Sequence, residues 1–94
     1  MNELDRTIHE PARLRILMIL SGVDVADFNF LLETLGLTKG NLSSHMDKLD
    51  KAGYVEVIKS FQGKMPHTDF RLKEEGRAAL AAYWAELDSI RKMK

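Results

Sequence analysis

The stretch Leu37-Thr38-Lys39-Gly40-Asn41-Leu42-Ser43-Ser44-His45-Met46-Asp47-Lys48-Leu49-Asp50-Lys51-Ala52-Gly53-Tyr54-Val55 decides how the rest of the chain reads. Leu42, Met46 and Leu49 recur at i, i+4 and i+7, which is one inward stripe on a helix. Lys39, Asn41, Ser43, Ser44, Asp47, Lys48 and Lys51 lie off that stripe. Thr38 is placed to cap the free amides of a first turn, and Gly53 to end the helix. The spacing therefore predicts a helix over 38–52, anchored by three apolar residues and polar elsewhere.

Working back toward the N-terminus, residues 27–36 read as a shorter helix. Asp27 can cap it, and Phe28, Leu31, Leu32 and Leu35 fall at i, i+3, i+4 and i+7. Gly36 can take the left-handed exit, and only Leu37 separates it from Thr38. Two short helices joined by a tight, glycine-containing turn are the local signature of a helix-turn-helix. A further helix is expected over 10–22, with Pro11 at its first position and Gly22 at its end. Leu14, Ile16, Leu17, Ile19 and Leu20 cover more than one of its faces, so it should be buried on several sides.

Toward the C-terminus, residues 54–59 are rich in branched and aromatic side chains, and residues 68–73 alternate polar and apolar. They read as the two strands of a hairpin over 54–73. Between them, residues 60–67 carry glycine, proline and basic groups, a loop longer than a two-residue turn that should project as a flap. An alanine-rich helix is expected over 74–93, its acidic start and basic end matching the helix dipole. Leu80, Tyr83, Trp84, Leu87 and Ile90 form a broad stripe along it.

Composition sets bounds on this reading. Ninety-four residues, 45% of them apolar, suit one domain with a thin core, for which partnering with a second copy is a common remedy. There is no cysteine, so neither a disulfide nor a thiolate metal site is expected, and no cofactor is called for. No charged-then-apolar leader appears, and the longest apolar run covers only residues 16–20. The expectation is a cytoplasmic protein without membrane insertion. Net charge is zero, but its distribution is uneven. Residues 36–73 hold Lys39, Lys48, Lys51, Lys59, Lys64, Arg71 and Lys73 against Asp47, Asp50, Glu56 and Asp69. Residues 22–35 hold Asp24, Asp27 and Glu33 and no base.

Catalysis finds no support. His9, His45 and His67 are scattered, with no i, i+4 pairing. Ser43-Ser44-His45 has the residue types of a nucleophile and a base, but neighbours on a helix point in different directions and cannot form a relay.

Several segments resemble known regulators of transcription. Glu10-Pro11-Ala12-Arg13-Leu14-Arg15-Ile16-Leu17 is similar to the opening helix of ArsR-type regulators. The stretch quoted at the outset resembles the recognition helix and first wing strand of ArsR and MarR regulators. Gly40 to His45, Gly63 to Thr68 and Leu72 to Arg77 are similar to the Gly-Asn-Leu-Ser-x-His, Gly-x-x-Pro-x-Thr and Leu-x-x-x-Gly-Arg motifs of small MarR-like or PadR-like regulators. The resemblance spans residues 10–83 and rests on the order and spacing of these pieces. It implies an α+β, mainly α, winged helix-turn-helix: a three-helix core, a β-hairpin wing and a C-terminal dimerisation helix. Two features depart from the larger families. The cysteines of ArsR metal sensors are missing, and there is little room for the ligand pocket of the longer MarR proteins.

The resemblance makes double-stranded DNA the expected partner, with the 38–52 helix in the major groove. Lys39, Asn41, Ser43 and Ser44 would then face base edges: asparagine can bond adenine N6 and N7, and lysine guanine O6 or N7. Gly40 would let the helix start approach the duplex closely, while Thr38 caps. Lys48 is a candidate phosphate ligand or a solvated charge, and His45 either packs beside the stripe or reaches DNA. From the wing, Lys59, Lys64, His67 and Arg71 are the candidates, Lys64 and His67 flanking the flap tip and Arg71 facing outward. The stripe of Leu80, Tyr83, Trp84, Leu87 and Ile90 admits three readings: core, cofactor pocket or dimer seam. The expectation adopted is a two-fold homodimer joined through the first and last helices. The competing function is a winged-helix module for protein–protein assembly, which zero net charge keeps open.

Overall fold

A computed structural model describes residues 4–93 of the chain. Its central post is α1 (Pro11–Ser21), which touches α2 (Phe28–Leu35), α3 (Lys39–Lys51), β3 (Met65–Leu72) and α4 (Glu74–Arg91). Glu10 caps α1 by accepting the Arg13 amide at 2.8 Å, and Pro11 occupies the first turn, where no amide is needed. Ile16, Leu17 and Leu20 have no solvent exposure, while Leu14 and Ile19 are half-buried. The apolar surplus of this helix is thus absorbed within the chain, except at the exposed Met18.

The helix-turn-helix follows from local chemistry. Asp27 accepts the Phe30 amide at 2.7 Å and starts α2, and Gly36 ends it in the left-handed region at φ 65°. Thr38 accepts the Asn41 amide at 3.1 Å and starts α3. Leu31 and Leu35 from α2, and Leu42, Met46 and Leu49 from α3, close on the α1 layer. Together they form one α+β winged helix.

The sheet is antiparallel, in the order β1 (Ala26–Asp27), β3, β2 (Val55–Gln62). The two-residue β1 had no sequence signal. It exists because Ala26 and Asp27 pair with Phe70 and Asp69, and two residues are too few to show alternation. The wing also differs from the expected flap. Pairing continues through Lys59↔Thr68, Ser60↔His67 and Phe61↔Pro66 to Gln62↔Met65, leaving only Gly63 and Lys64 as the turn. Gly63 has φ 64°, the conformation that a tight hairpin requires at its first central residue. Pro66 is tolerated because the rung next to the closing pair of such a turn is not hydrogen-bonded.

Residues 4–9, for which no element was expected, supply part of the packing. Ile8 is fully buried. Asp5 accepts the Thr7 amide at 2.8 Å through one oxygen and the Tyr54 hydroxyl at 2.5 Å through the other. His9 Nδ1 lies 2.8 Å from the Tyr83 hydroxyl, joining this segment to α4.

The start of α4 presses directly on the start of the wing. The Lys73 amide donates to the Tyr54 carbonyl at 2.9 Å, and a Cβ placed on Gly76 would stand 2.2 Å from that carbonyl oxygen. One residue on, the Arg77 guanidinium donates to the Ser21 carbonyl at the end of α1. Gly40 is the contrasting case, with nothing within 4 Å of a Cβ placed there.

Alanine should therefore act with opposite signs at these two helical glycines. Gly76→Ala is expected to lower the unfolding free energy by about 2 kcal/mol or more through backbone overlap. Gly40→Ala should raise it by up to about 1 kcal/mol through helix propensity. Urea midpoints that shift in the same direction for both would contradict this account.

A pH effect arises at Tyr54. The hydrogen bond to Asp5, reinforced by burial and by the Asp5 charge, pushes its phenol up to about 12. An unfolded tyrosine titrates near about 10. The folded value is the higher one, so this stabilisation is complete below about pH 10 and disappears as pH rises through about 12. Unfolding free energies measured between about pH 9 and about pH 12 should fall more steeply for the wild type than for Tyr54→Phe. Parallel curves would exclude the effect.

Candidate nucleic-acid interface

The inward stripe of α3 is locked, with Leu42 and Leu49 fully buried and Met46 nearly so. The opposite surface is open. Thr38, Lys39, Gly40, Asn41, Ser43, Ser44 and Lys48 are all exposed and lie on one continuous face at the helix start and middle. Backbone amides in the first turn of a helix lack intrahelical partners, and only that of Asn41 is taken by the Thr38 side chain. The open face thus offers donors of three kinds: ammonium, carboxamide and hydroxyl.

His45 is positioned differently. It is half-buried, with Nδ1 3.2 Å from an Arg13 guanidinium nitrogen and 4.0 Å from a Glu10 carboxylate oxygen. Burial pushes the Glu10 carboxyl up, but the Arg13 amide and the His45 charge outweigh it and hold the group below its ordinary value. Arg13 also donates through Nε to the Thr7 carbonyl at 2.6 Å. Arg13 thus links α1 to His45 of α3 and to the N-terminal segment, and His45 is turned away from the open face of the helix.

The two flanks of α3 differ in charge. On one flank, Arg6, Arg13, Lys48 and Lys51 line a hollow of about 370 Å³. Lys51 there is 3.0 Å from Asp47. On the other flank, Ser43, Asp47 and Asp50 face Val57, Lys59 and Thr68 of the wing across a groove of about 450 Å³. No pattern in the sequence singles out Arg6 or Arg13. Both precede or open α1, and only the fold carries them to the far side of α3.

The wing candidates divide as well. Lys59 is exposed on the sheet face turned toward α3, and Lys64 sits in the turn at the tip. Strand alternation sends His67 and Arg71 to the opposite face from Lys59 and Thr68. There His67 lies 3.0 Å from Asp69, and the Arg71 guanidinium donates to its cross-strand neighbour Glu56. His67 is therefore in the strand, not beside a flap tip, and both residues already have a carboxylate partner. The geometry does not bring them together with α3.

On α4, Leu80 and Tyr83 are buried in the chain's own core, which corrects their expected place on a free seam. What remains of the stripe is Trp84, 40% exposed, Ile90, 39% exposed, and the half-buried Leu87. These three line a hollow of about 520 Å³ with Asp88 and Arg91. Hydrogen bonds from Arg91 and Lys92 hold the Asp88 carboxyl below its ordinary value.

Among the described residues, no group of three or more histidine or acidic side chains is arranged to hold a metal ion. No described helix is long and apolar enough to cross a membrane.

A buried tripod under a polar helix, with a hairpin beside it, defines a class of nucleic-acid reader, and comparison with known proteins gives the family. Residues 12–91 match the family described as "Winged helix DNA-binding domain", and the chain belongs to it. This is a family of DNA-binding domains and not of enzymes. An uncharacterized protein of Methanocaldococcus jannaschii is 38% identical over 80 residues, which cover 85% of this chain and 87% of that protein. The transcriptional regulator homologue protein of Pyrococcus horikoshii OT3 superposes with a TM-score of 0.86 at 26% identity. That match covers 94% of this chain and 87% of the other. A MarR family transcriptional regulator from Silicibacter pomeroyi shares the fold, with a TM-score of 0.66 at 24% identity, covering 85% of this chain and 53% of its own. The chain is thus a winged-helix DNA-binding domain that resembles transcriptional regulators.

Proposed function

We propose that the chain is a sequence-specific regulator of transcription that binds double-stranded DNA as a homodimer. The observation that carries this is the exposed face of α3, from Lys39 to Lys48, mounted on a fully buried stripe in a winged-helix DNA-binding domain. In this reading α3 enters the major groove by its N-terminal half. Asn41, Ser43 and Ser44 read base edges, with Lys39 beside them. Gly40 keeps the helix start slim enough for close approach. Lys48 and Arg6 meet phosphates on one side of α3, and Lys59 and Lys64 meet them on the other. Arg71 and His67 stay with their carboxylates, and His45 positions the helix.

Zero net charge makes binding by one copy weak in this reading, and a second copy supplies the missing affinity. Trp84, Leu87 and Ile90 are the residues proposed to meet their two-fold counterparts. Two recognition helices would then lie about 34–36 Å apart, one turn of DNA, and the site would be palindromic.

Fluorescence anisotropy against duplexes selected from genomic fragments tests the division of roles. Asn41→Ala is expected to flatten the preference between selected and scrambled duplexes. Lys64→Ala should weaken both alike and reduce the slope of log K against log salt by about one. Equal effects from the two variants would refute the assignment. Absence of salt-sensitive duplex binding by the wild type would favour the protein-assembly function instead.

Sedimentation tests the partner. The wild type is expected to run as a dimer at micromolar concentration and Trp84→Glu as a folded monomer. A monomeric wild type would remove the homodimer from the proposal.

A further inference from the structure

The wing is longer than its anchoring requires. The last rung with a buried residue is Val57↔Phe70, and five more rungs follow, ending at Gln62↔Met65. At about 3.3 Å per residue, Phe61 stands roughly 13 Å beyond Val57. Hairpin ends in water are ordinarily polar. This one carries Phe61 at 73% exposure and Met65 at 69%, with the exposed Pro66 directly opposite Phe61.

Alternation settles which way this apolar rung faces. Val57, Lys59 and Phe61 share one face of β2, and their partners Phe70, Thr68 and Pro66 share the same face of β3. Val57, Lys59, Thr68 and Phe70 line the groove that Ser43 and Asp47 of α3 close from the other side. The Phe61–Pro66 rung therefore extends the sheet surface that looks toward the recognition helix. Lys59 and Lys64 bracket Phe61 in the chain, and no carboxylate lies between Ser60 and Pro66. An apolar tip flanked by cations and free of acids fits a polyanion with an apolar interior. Two such tips meeting each other would oppose lysine to lysine.

We propose that the Phe61–Pro66 rung is an apolar wedge for the minor groove of the duplex whose major groove α3 occupies. The proposal rests on the DNA-binding function above. Lys59 and Lys64 take the phosphates that border the groove, while the Phe61 ring enters it and opens one base step. Side chains of this kind bend DNA toward the major groove when they enter a step. Such a bend opens the minor groove against the wing tip and adds apolar contact there, which the low charge of the chain does not provide. The wing would then read deformability, favouring a pyrimidine–purine step at its footprint.

The test uses the full chain and a selected duplex carrying 2-aminopurine at single positions. Binding of the wild type is expected to raise 2-aminopurine emission at one step outside the α3 footprint in each half of the site. Phe61→Ser should abolish that rise and weaken binding about tenfold, with the log K against log salt slope unchanged. Phe61→Trp should retain both the rise and the affinity. Residue 61 is exposed, so the melting temperature should be the same for all three proteins, which separates the effect from misfolding. Unchanged emission and affinity in Phe61→Ser, alongside intact wild-type binding, would overturn the wedge. Loss of self-association in Phe61→Ser would also overturn it, by making a second chain the occupant. Failure of the DNA-binding function itself shows earlier, as a wild type with no salt-sensitive duplex binding, and the wedge falls with it.

Discussion

The seating of Leu42, Met46 and Leu49 against Ile16, Leu17 and Leu20 is the constraint on which the rest of this molecule depends. A thirteen-residue helix with a polar majority has little reason to persist alone in water. Three fully or nearly buried side chains hold it, and because they occupy one stripe they also set its rotation about its own axis. Rotation decides which residues face outward. With the stripe inward, Asn41, Ser43 and Ser44 are exposed and His45 turns toward Arg13. A shift of one residue in the stripe would bury either Asn41, His45 and Lys48 or Ser43, Asp47 and Asp50, at a cost of about 1–3 kcal/mol or more for each polar group left without a partner. The core and the interface are thus two sides of one helix, and selection on either constrains the other.

What was legible in the sequence was the chemistry that acts over a few residues. Asp27 and Thr38 bond amides three residues ahead, Gly36 takes a positive φ, and the α3 stripe follows from helical period alone. The fold class follows from those signals in order. What escaped depends on partners distant in the chain. β1 is defined by Phe70 and Asp69, more than forty residues away. Asp5 and His9 belong to a segment without periodicity, and they find Tyr54 and the Tyr83 hydroxyl of α4 only after the chain has closed. Gly63, Pro66 and the polar residues beside them have the composition of a loop, which predicts a projecting flap. Pairing across the hairpin overrides that preference, since Pro66 falls on a rung that asks nothing of its nitrogen.

The candidate site was legible to a different degree. Residues on α3 share one helix, so their common face could be inferred from spacing. Residues on the wing could not be sorted until the register was known. Register places Lys59 toward α3 and sends His67 and Arg71 to the other side, where Asp69 and Glu56 engage them. Charge counted along the sequence also misled in one respect. The positive flank of α3 is completed by Arg6 and Arg13, outside the basic middle of the chain, while Asp47 and Asp50 leave the wing flank acidic.

The glycines on helices show where the fold's own demands stop. Gly76 is explained from within, because α4 crosses the Tyr54 carbonyl at a distance that leaves no room for a methyl group. Gly40 has no such explanation: its surroundings are empty, its φ is ordinary, and alanine there would favour the helix. A residue that lowers helix propensity and relieves no internal overlap is consistent with a demand from outside the chain. It sits between Lys39 and Asn41 on the exposed start of α3, where a bulky backbone neighbour would have to approach. Phe61 is the same kind of residue on the wing, since its ring stands 73% exposed and is not part of the core formed by the described residues. One position is stripped of bulk and the other is furnished with it, on two elements that face a common space. A duplex lying across the start of α3 and the wing tip, as proposed above, would account for both: close approach at the major groove and an apolar contact at the minor groove.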